Sequence, residues 1–296
     1  MPRRQINRVA IFVYLHKIGI EHLLEQIIIF LERQRITILI DTYLYDFILL
    51  KTGKSFENME IISSDRFSAD MAISIGGDGT FLNTASRVVD KSIPILGINS
   101  GRLGFLADVA MDDSIAVLRS VLENEFTIEE RSLLHLETLD GTRIETPYAL
   151  NDIALQKQDS SSMIMVEAKA NGELINIYQA DGLIIATPTG STAYSMSVGG
   201  PIVVPQAESF VISPVASHSL NVRPLIVPDN WVIELRVQSR TNNFLVSLDG
   251  RFKVLNHDTR LQVKKAGYKI KLIKPLNHTF FDTLRNKLLW GADKRI

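Results

Sequence analysis

The chain has 296 residues, no cysteine and a net charge of -1 from 32 basic and 33 acidic side chains. Without cysteine it holds no disulfide, Fe–S cluster, thiolate zinc site or cysteine nucleophile, and the even charge argues against binding nucleic acid by phosphate neutralisation. Hydrophobic residues make up 46% and charged residues 22%, a globular composition, and the length suggests two domains. No apolar run approaches the ~18–20 residues that span a bilayer; Val9–Leu15 and Ile27–Leu31 are both too short. A soluble, cytoplasmic protein without nucleic-acid or membrane partners is expected.

In chain order, Val9–Tyr14 (VAIFVY) predicts a buried strand. Ile20–Arg33 places Leu23, Leu24, Ile27, Ile28 and Leu31 at helical spacing. Ile36–Ile40, Met71–Ile75 and Ile93–Ile98 predict further strands, with helices over Thr80–Val89 and Ser114–Leu122. Such alternation favours a parallel sheet with helices on its faces. After about Phe126 the texture changes. Strand-like runs follow one another at Ser132–Leu139, Met163–Ala170, Leu174–Ile177, Leu183–Ala186, Trp231–Val237, Leu245–Leu248 and Tyr268–Ile273. Asp140-Gly141 and Asn171-Gly172 stand between runs as hairpin signals. Phe280–Trp290 returns to helical spacing, and a lone helix after a β domain needs an apolar surface to cover. The predicted architecture is α/β plus β. A Rossmann-like α/β domain comprises residues 1–130 plus 275–296, so that the C-terminal helix returns to it. A β-rich, sandwich-like domain comprises residues 131–274.

Gly53-Lys54-Ser55 resembles the end of a P-loop, but Ile48 stands where the pattern needs glycine and the segment follows a helical stretch. Gly76-Gly77-Asp78-Gly79-Thr80 is better placed, after the strand MAISI and before a helix. Glycines at such a turn let backbone N–H groups approach a phosphate. It is not a dinucleotide fingerprint, because Leu82 occupies the third glycine position. Asp78 would repel a bare phosphate; it suits either a metal on the phosphate or a proton from an attacking hydroxyl. The plainer alternative is a tight turn with Asp78 capping the helix.

The densest signal is Asp181-Gly182-Leu183, then Thr187-Pro188-Thr189-Gly190-Ser191-Thr192-Ala193-Tyr194-Ser195, then Gly199-Gly200-Pro201. A strand runs into a loop of small hydroxyl residues rich in donors and acceptors, and the Tyr194 ring offers a stacking face. Asn151-Asp152 suits sugar hydroxyls or an ordinary turn. His218 is a lone histidine, no HExxH pair is present, Gly-x-Ser-x-Gly is absent, and Lys264-Lys265 reads as a solvated face.

Together these segments resemble the NAD kinase family. The likeness rests on Gly76–Thr80, Asn99–Leu106 (NSGRLGFL), Asn151-Asp152, Asp181–Pro201 (DGLIIATPTGSTAYSMSVGGP) and Ser213–Leu220 (SPVASHSL), in the family's order. GGDGT alone is shared with diacylglycerol kinases and phosphofructokinases; the TPTGSTAYS-type segment is more specific. The resemblance implies transfer of the γ-phosphate of ATP to the adenosine ribose 2′-hydroxyl of NAD, giving NADP. It implies a divalent cation, usually Mg²⁺, with polyphosphate replacing ATP in some members. It also implies a site between domains in a homodimer or homotetramer. Asp78 would accept the 2′-hydroxyl proton and Gly79 would keep the approach open. Asn151, Asp152, Asp181, Ser191, Thr192, Ala193, Tyr194, Ser195 and Ser197 would hold nucleotide, with no dedicated metal ligand.

Two positions depart from the family. The family usually has Asn-Glu where this chain has Asn151-Asp152, roughly 1.5 Å shorter in reach. Arg251, after Asp249-Gly250, falls where some members carry an uncharged polar residue; it would meet a phosphate or lie on the surface. Gln179 falls where members vary between basic and neutral residues. Two other functions share part of the signal: a related GGDGT kinase acting on a lipid or sugar hydroxyl, and a non-catalytic dinucleotide sensor.

Overall fold

A computed structural model describes residues 5–291 except 16, 18, 54, 55, 57, 102, 103, 159–161 and 277. The chain divides into two compact units, Met1–Glu130 with Ile270–Ile296, and Arg131–Lys269. Of the expected motifs, Lys54, Ser55, Arg102 and Leu103 lie outside the described residues.

The first unit contains β1 (Arg8–Val13), α1 (Ile20–Arg33), β2 (Thr37–Ile40), α2 (Thr42–Thr52), β3 (Met59–Ile61), β4 (Met71–Gly76), α3 (Asp78–Val88), β5 (Ile95–Asn99), β6 (Val109–Ala110) and α4 (Ser114–Leu122). Its sheet runs β3-β2-β1-β4-β5, every pair parallel. β4 and β5 are buried throughout. Helices cover both faces of such sheets, so the strands read as unbroken apolar runs rather than alternations. α1 buries Ile20, Leu23, Leu24, Ile27, Ile28 and Leu31, the stripe its sequence spacing predicts. The chain builds outward from β1 to β2 and β3, then returns to lay β4 and β5 on the other side. The strand order therefore reverses between β1 and β4. In open α/β sheets, ligands bind outside the C-terminal strand ends at such a reversal.

Two helix ends add to the sequence reading here: the first agrees with it and the second moves a boundary. Gly53 closes α2 in the left-handed conformation (φ 63°), donating to the Leu49 carbonyl at 2.9 Å, so it ends a helix instead of opening one. The helix after GGDGT starts at Asp78, and extended Gly77 occupies the capping position without a side-chain cap.

The second unit is antiparallel. Its strands are β7 (Phe126–Thr138), which begins in the first unit, β8 (Tyr148–Ala149), β9 (Asp152–Lys157), β10 (Ile164–Ala170), β11 (Glu173–Ala180), β12 (Gly182–Ala186), β13 (Ser209–Val215), β14 (Leu225–Pro228), β15 (Ile233–Gln238), β16 (Asn243–Leu248), β17 (Arg251–Asn256) and β18 (Arg260–Pro275). A short helix, α5 (Tyr194–Ser197), follows a 3₁₀ turn at Gly190–Thr192. One sheet runs β14-β13-β12-β9-β16-β17, and β11-β10-β15-β18 form a second layer. Their facing side chains, among them Leu155, Ile185, Phe210, Phe244, Val166 and Leu235, share one core, the expected sandwich. β18 leads back to the first unit, where α6 (Phe280–Leu288) ends the described secondary structure.

Asn171-Gly172 is a two-residue hairpin between β10 and β11, with φ of 49° and 85°. Asp140-Gly141 is not one, because β7 ends at Thr138 and its partner β8 starts at Tyr148. The Asp140 carboxylate accepts the Thr142 N–H and the Thr259 hydroxyl, which favours a longer loop.

Candidate active site

In the first unit, Gly76 ends β4 at the strand-order reversal, Gly77 links it to the helix, and Asp78 opens α3. The capping alternative is not what forms. The carboxylate turns instead to residues 105–107, which follow β5. Oδ1 accepts the N–H groups of Leu106 at 3.0 Å and Ala107 at 3.2 Å. Oδ2 accepts the Phe105 N–H at 3.0 Å and the Lys287 ammonium at 3.0 Å. Burial would push the Asp78 pKa up, but the Lys287 charge and the N–H donors of Phe105 and Leu106 outweigh it and hold the carboxyl below its usual value. Gly104 is needed for close approach: a Cβ there would lie 2.1 Å from Asp78 Oδ1. One residue beyond this loop, buried Asp108 pairs with Lys274 at 2.5 Å and His278 at 3.3 Å. Lys274, His278 and Lys287 thus anchor the loop and the carboxylate it grips.

In the second unit, Asp152 opens β9, paired with Ala186 at the end of β12. Asp152, Ala154 and Gln156 alternate onto the outer sheet face. Asp249 lies beside them, in the Asp249-Gly250 hairpin between β16 and β17 (φ 49° and 81°). Its carboxylate accepts the backbone N–H groups of Leu150 at 2.7 Å, Asn151 at 2.7 Å and Asp152 at 3.1 Å. Asp152 has no hydrogen bond to its carboxylate among the described residues. It is buried, at 7% exposure, and burial together with the Asp249 charge pushes its pKa up to about 7. Burial pushes Asp249 up as well. Its three N–H donors stabilise the charged form, so the shared proton resides on Asp152.

The hydroxyl-rich loop lies on the same outer face. Ile184, Ala186, Ala154, Val203 and Val211 form a small core there, with Tyr194 and Val198 packed against it. Most hydroxyls in the loop hold the loop itself. Thr187 bonds the Leu150 carbonyl at 2.6 Å, and Ser191 bonds the Pro188 carbonyl at 2.6 Å and the Val203 N–H at 2.9 Å. Thr192 bonds the Thr189 carbonyl at 3.1 Å, Ser195 bonds Ser213 at 3.0 Å, and Ser197 bonds the Tyr194 carbonyl at 2.7 Å. Half-buried Thr192, Ala193 and Tyr194 remain open to a ligand. Gly190 packs on Asn151, where a Cβ would fall 2.0 Å from its carbonyl oxygen. This juxtaposition brings Asn151 and Asp152 to the loop.

Asp181 sits at the other end of the β9–β12 pair, about 15 Å along the strands, where Lys157 bonds it at 2.6 Å. The Tyr194 hydroxyl, accepting from Gln156 Nε2 at 3.2 Å, extends toward that end. Arg251 is partly exposed, and its guanidinium is tied to the backbone. Its Nε bonds the Leu248 carbonyl at 3.0 Å and its Nη2 the Tyr148 carbonyl at 2.5 Å. His218 is exposed and donates its backbone N–H to the Gln179 carbonyl at 2.9 Å. Lys264 and Lys265 are not a purely solvated face: they pair with Glu137 at 2.7 Å and buried Asp229 at 2.6 Å. Sequence reasoning missed Asp249 and Lys287. The Asp249-Gly250 hairpin signature was available for the first; nothing local marks the second.

Residues 9–126 match the family model described as the ATP-NAD kinase N-terminal domain, and residues 150–275 that of the C-terminal domain. An NAD kinase of Bacteroides fragilis is 56% identical over 237 residues, covering 80% of this chain and 82% of that protein. One of Flavobacterium psychrophilum is 43% identical over 295 residues, covering 97% and 99%. Among solved structures, yeast NADH kinase complexed with NADH superposes with a TM-score of 0.89 at 23% identity, covering 99% of this chain and 91% of that one. An NAD kinase from Archaeoglobus fulgidus in complex with ATP gives 0.75 at 25% identity, covering 96% and 100%.

Proposed function

The chain belongs to the NAD kinase family, and we propose that it transfers the γ-phosphate of ATP to the adenosine ribose 2′-hydroxyl of NAD, releasing NADP and ADP. The observation that carries the reading is Asp78: a carboxylate at the strand-order reversal, inside the family's GGDGT turn. Asp78 takes the 2′-hydroxyl proton as the new O–P bond forms and the bond from Pγ to the bridging oxygen breaks, with ADP leaving. Its depressed pKa makes it a weak base, so proton transfer comes late, and alignment and charge neutralisation supply most of the acceleration. Asn151 and, above about pH 7, the ionised Asp152 accept ribose hydroxyls, Tyr194 stacks on a base, and the backbone of residues 192–194 holds the nucleotide. Gly79 keeps the approach to Asp78 open. Ser191, Ser195 and Ser197 act by shaping the loop, and Asp181 lies at the far end of the β9–β12 pair, toward which the Tyr194 hydroxyl extends. Arg251 braces the Asp249 turn, not a phosphate.

Among the described residues no group of three or more His, Asp or Glu side chains is placed to hold a metal. In this reading the divalent cation, Mg²⁺, enters as part of the ATP substrate. Among the described residues no helix is long and apolar enough to cross a membrane, and the reading places the reaction in the cytoplasm, in a homodimer or homotetramer. The test is incubation of purified protein with NAD, ATP and Mg²⁺, detecting NADP with an NADP-specific dehydrogenase. Formation of NADP is expected. NAD binding without turnover would favour the dinucleotide sensor, and failure to saturate with NAD would favour a different acceptor hydroxyl.

A further inference from the structure

Four hydrogen bonds occupy Asp78, two on each oxygen. A carboxylate so occupied has no position left for an incoming hydroxyl, so one donor must leave before a proton can arrive. Three donors are backbone N–H groups of consecutive residues, fixed by the loop and by the Asp108 cluster. The fourth, Lys287, is a long side chain from α6, and the side chain is 30% exposed. Its ammonium also lies 4.4 Å from the centre of the Phe105 ring, a face that keeps a cation nearby when the carboxylate contact is broken. α6 itself is held by the Thr279–Asp282 capping box and by Phe280 against Phe105, ring centres 6.3 Å apart. Lys287 can therefore move by side-chain rotation while its helix stays in place.

Resting on the kinase reading above, we infer that Lys287 is an exchangeable counter-ion: it neutralises Asp78 before substrate binds, then transfers its ammonium to the terminal phosphate of ATP. The phosphate carries more charge than one carboxylate and draws the cation to itself. The exchange does two things. It offsets phosphate charge where phosphoryl transfer most needs neutralisation. It also returns Oδ2 to the ribose hydroxyl and removes the cation that lowers the basicity of Asp78. ATP binding would thus release the base, and NAD without ATP would meet a blocked carboxylate. Lys287 is the charged side chain facing Asp78 among the described residues. The Asp108, Lys274 and His278 group lies at the far end of the loop, and Lys17 lies beside Gly101 after β5.

The variants that test this are Lys287→Met and Lys287→Arg in the full-length protein. Lys287→Met should raise KM for ATP about tenfold and lower kcat, with KM for NAD unchanged within about twofold. The acid limb of its kcat/KM profile, which reports the enzyme before ATP binds, should move to higher pH, because Asp78 loses the charge that held its pKa down. Lys287→Arg should recover most of the ATP affinity. A Lys287→Met enzyme with wild-type KM for ATP and an unmoved acid limb would overturn the inference, even if its melting temperature fell. Calorimetry with a non-hydrolysable ATP analogue and Mg²⁺ separates the two readings. If wild type makes no NADP but Lys287→Met still loses about tenfold in analogue affinity, the acceptor assignment fails and the phosphate role of Lys287 stands. Equal affinity of both proteins for the analogue overturns that role regardless of turnover.

Discussion

Replacing Asp152 with asparagine should make the protein's stability less dependent on pH. Wild-type Asp152 is buried beside Asp249, and its pKa rises from 3.8 to about 7 on folding. Between those values the folded state holds a proton that the unfolded state has lost, so stability falls as pH rises. The loss begins near pH 4 and levels off just above pH 7. Three pKa units at 1.36 kcal/mol each set the full loss at about 4 kcal/mol. From pH 5 to pH 8 the part remaining to be lost is about 3 kcal/mol. The amide has nearly the shape of the carboxyl and does not titrate, so Asp152→Asn should lack this component. The assay is reversible urea unfolding of both proteins at pH 5 and pH 8, at equal ionic strength. The difference of differences should be about 3 kcal/mol, with the variant relatively more stable at pH 8. Parallel pH dependence in the two proteins would refute the reasoning, because it would place the charge on Asp152 throughout. The same titration predicts that KM for NAD rises below about pH 7, where the protonated carboxyl accepts ribose hydroxyls poorly.

Asp78→Asn should lower kcat by about 100-fold while KM for NAD changes little, because an amide does not accept the ribose proton; equal losses in kcat and affinity would point to a structural role. Gly104→Ala should lower NADP formation by about tenfold or more, because its Cβ would fall 2.1 Å from Asp78 Oδ1 and 2.9 Å from the Ala107 carbonyl oxygen; wild-type turnover would show that the loop yields. Lys274→Met should destabilise by about 3 kcal/mol at pH 8, leaving Asp108 buried without its lysine. The loss should shrink at pH 5, because a hydrogen bond to Asp108 raises the His278 pKa and His278 stays charged there; urea unfolding at both pH values checks this.

Much of the architecture is written locally. VAIFV, MAISI and IPILGI are unbroken apolar runs because a sheet covered on both faces has no polar side, and the α1 stripe repeats with the helical period. GGDGT between a strand and a helix already marked a ligand-binding turn. These features depend on neighbours a few residues apart, so the string alone determines them. Asp78 shows where that ends. Its capping role was plausible from position, but its partners lie 27 to 29 residues away on one loop and 209 residues away on α6. Asp249 reaches Asp152 across 97 residues, and burial together with that neighbouring charge raises the Asp152 pKa. The hydroxyl loop advertised donors and acceptors, and only the fold revealed that Ser191 donates to the Pro188 carbonyl and accepts from the Val203 N–H, and that Ser195 bonds Ser213. Periodicity records which way a side chain faces. Hydrogen-bond saturation, burial and the pKa values that follow depend on which distant groups converge, and only tertiary structure decides that.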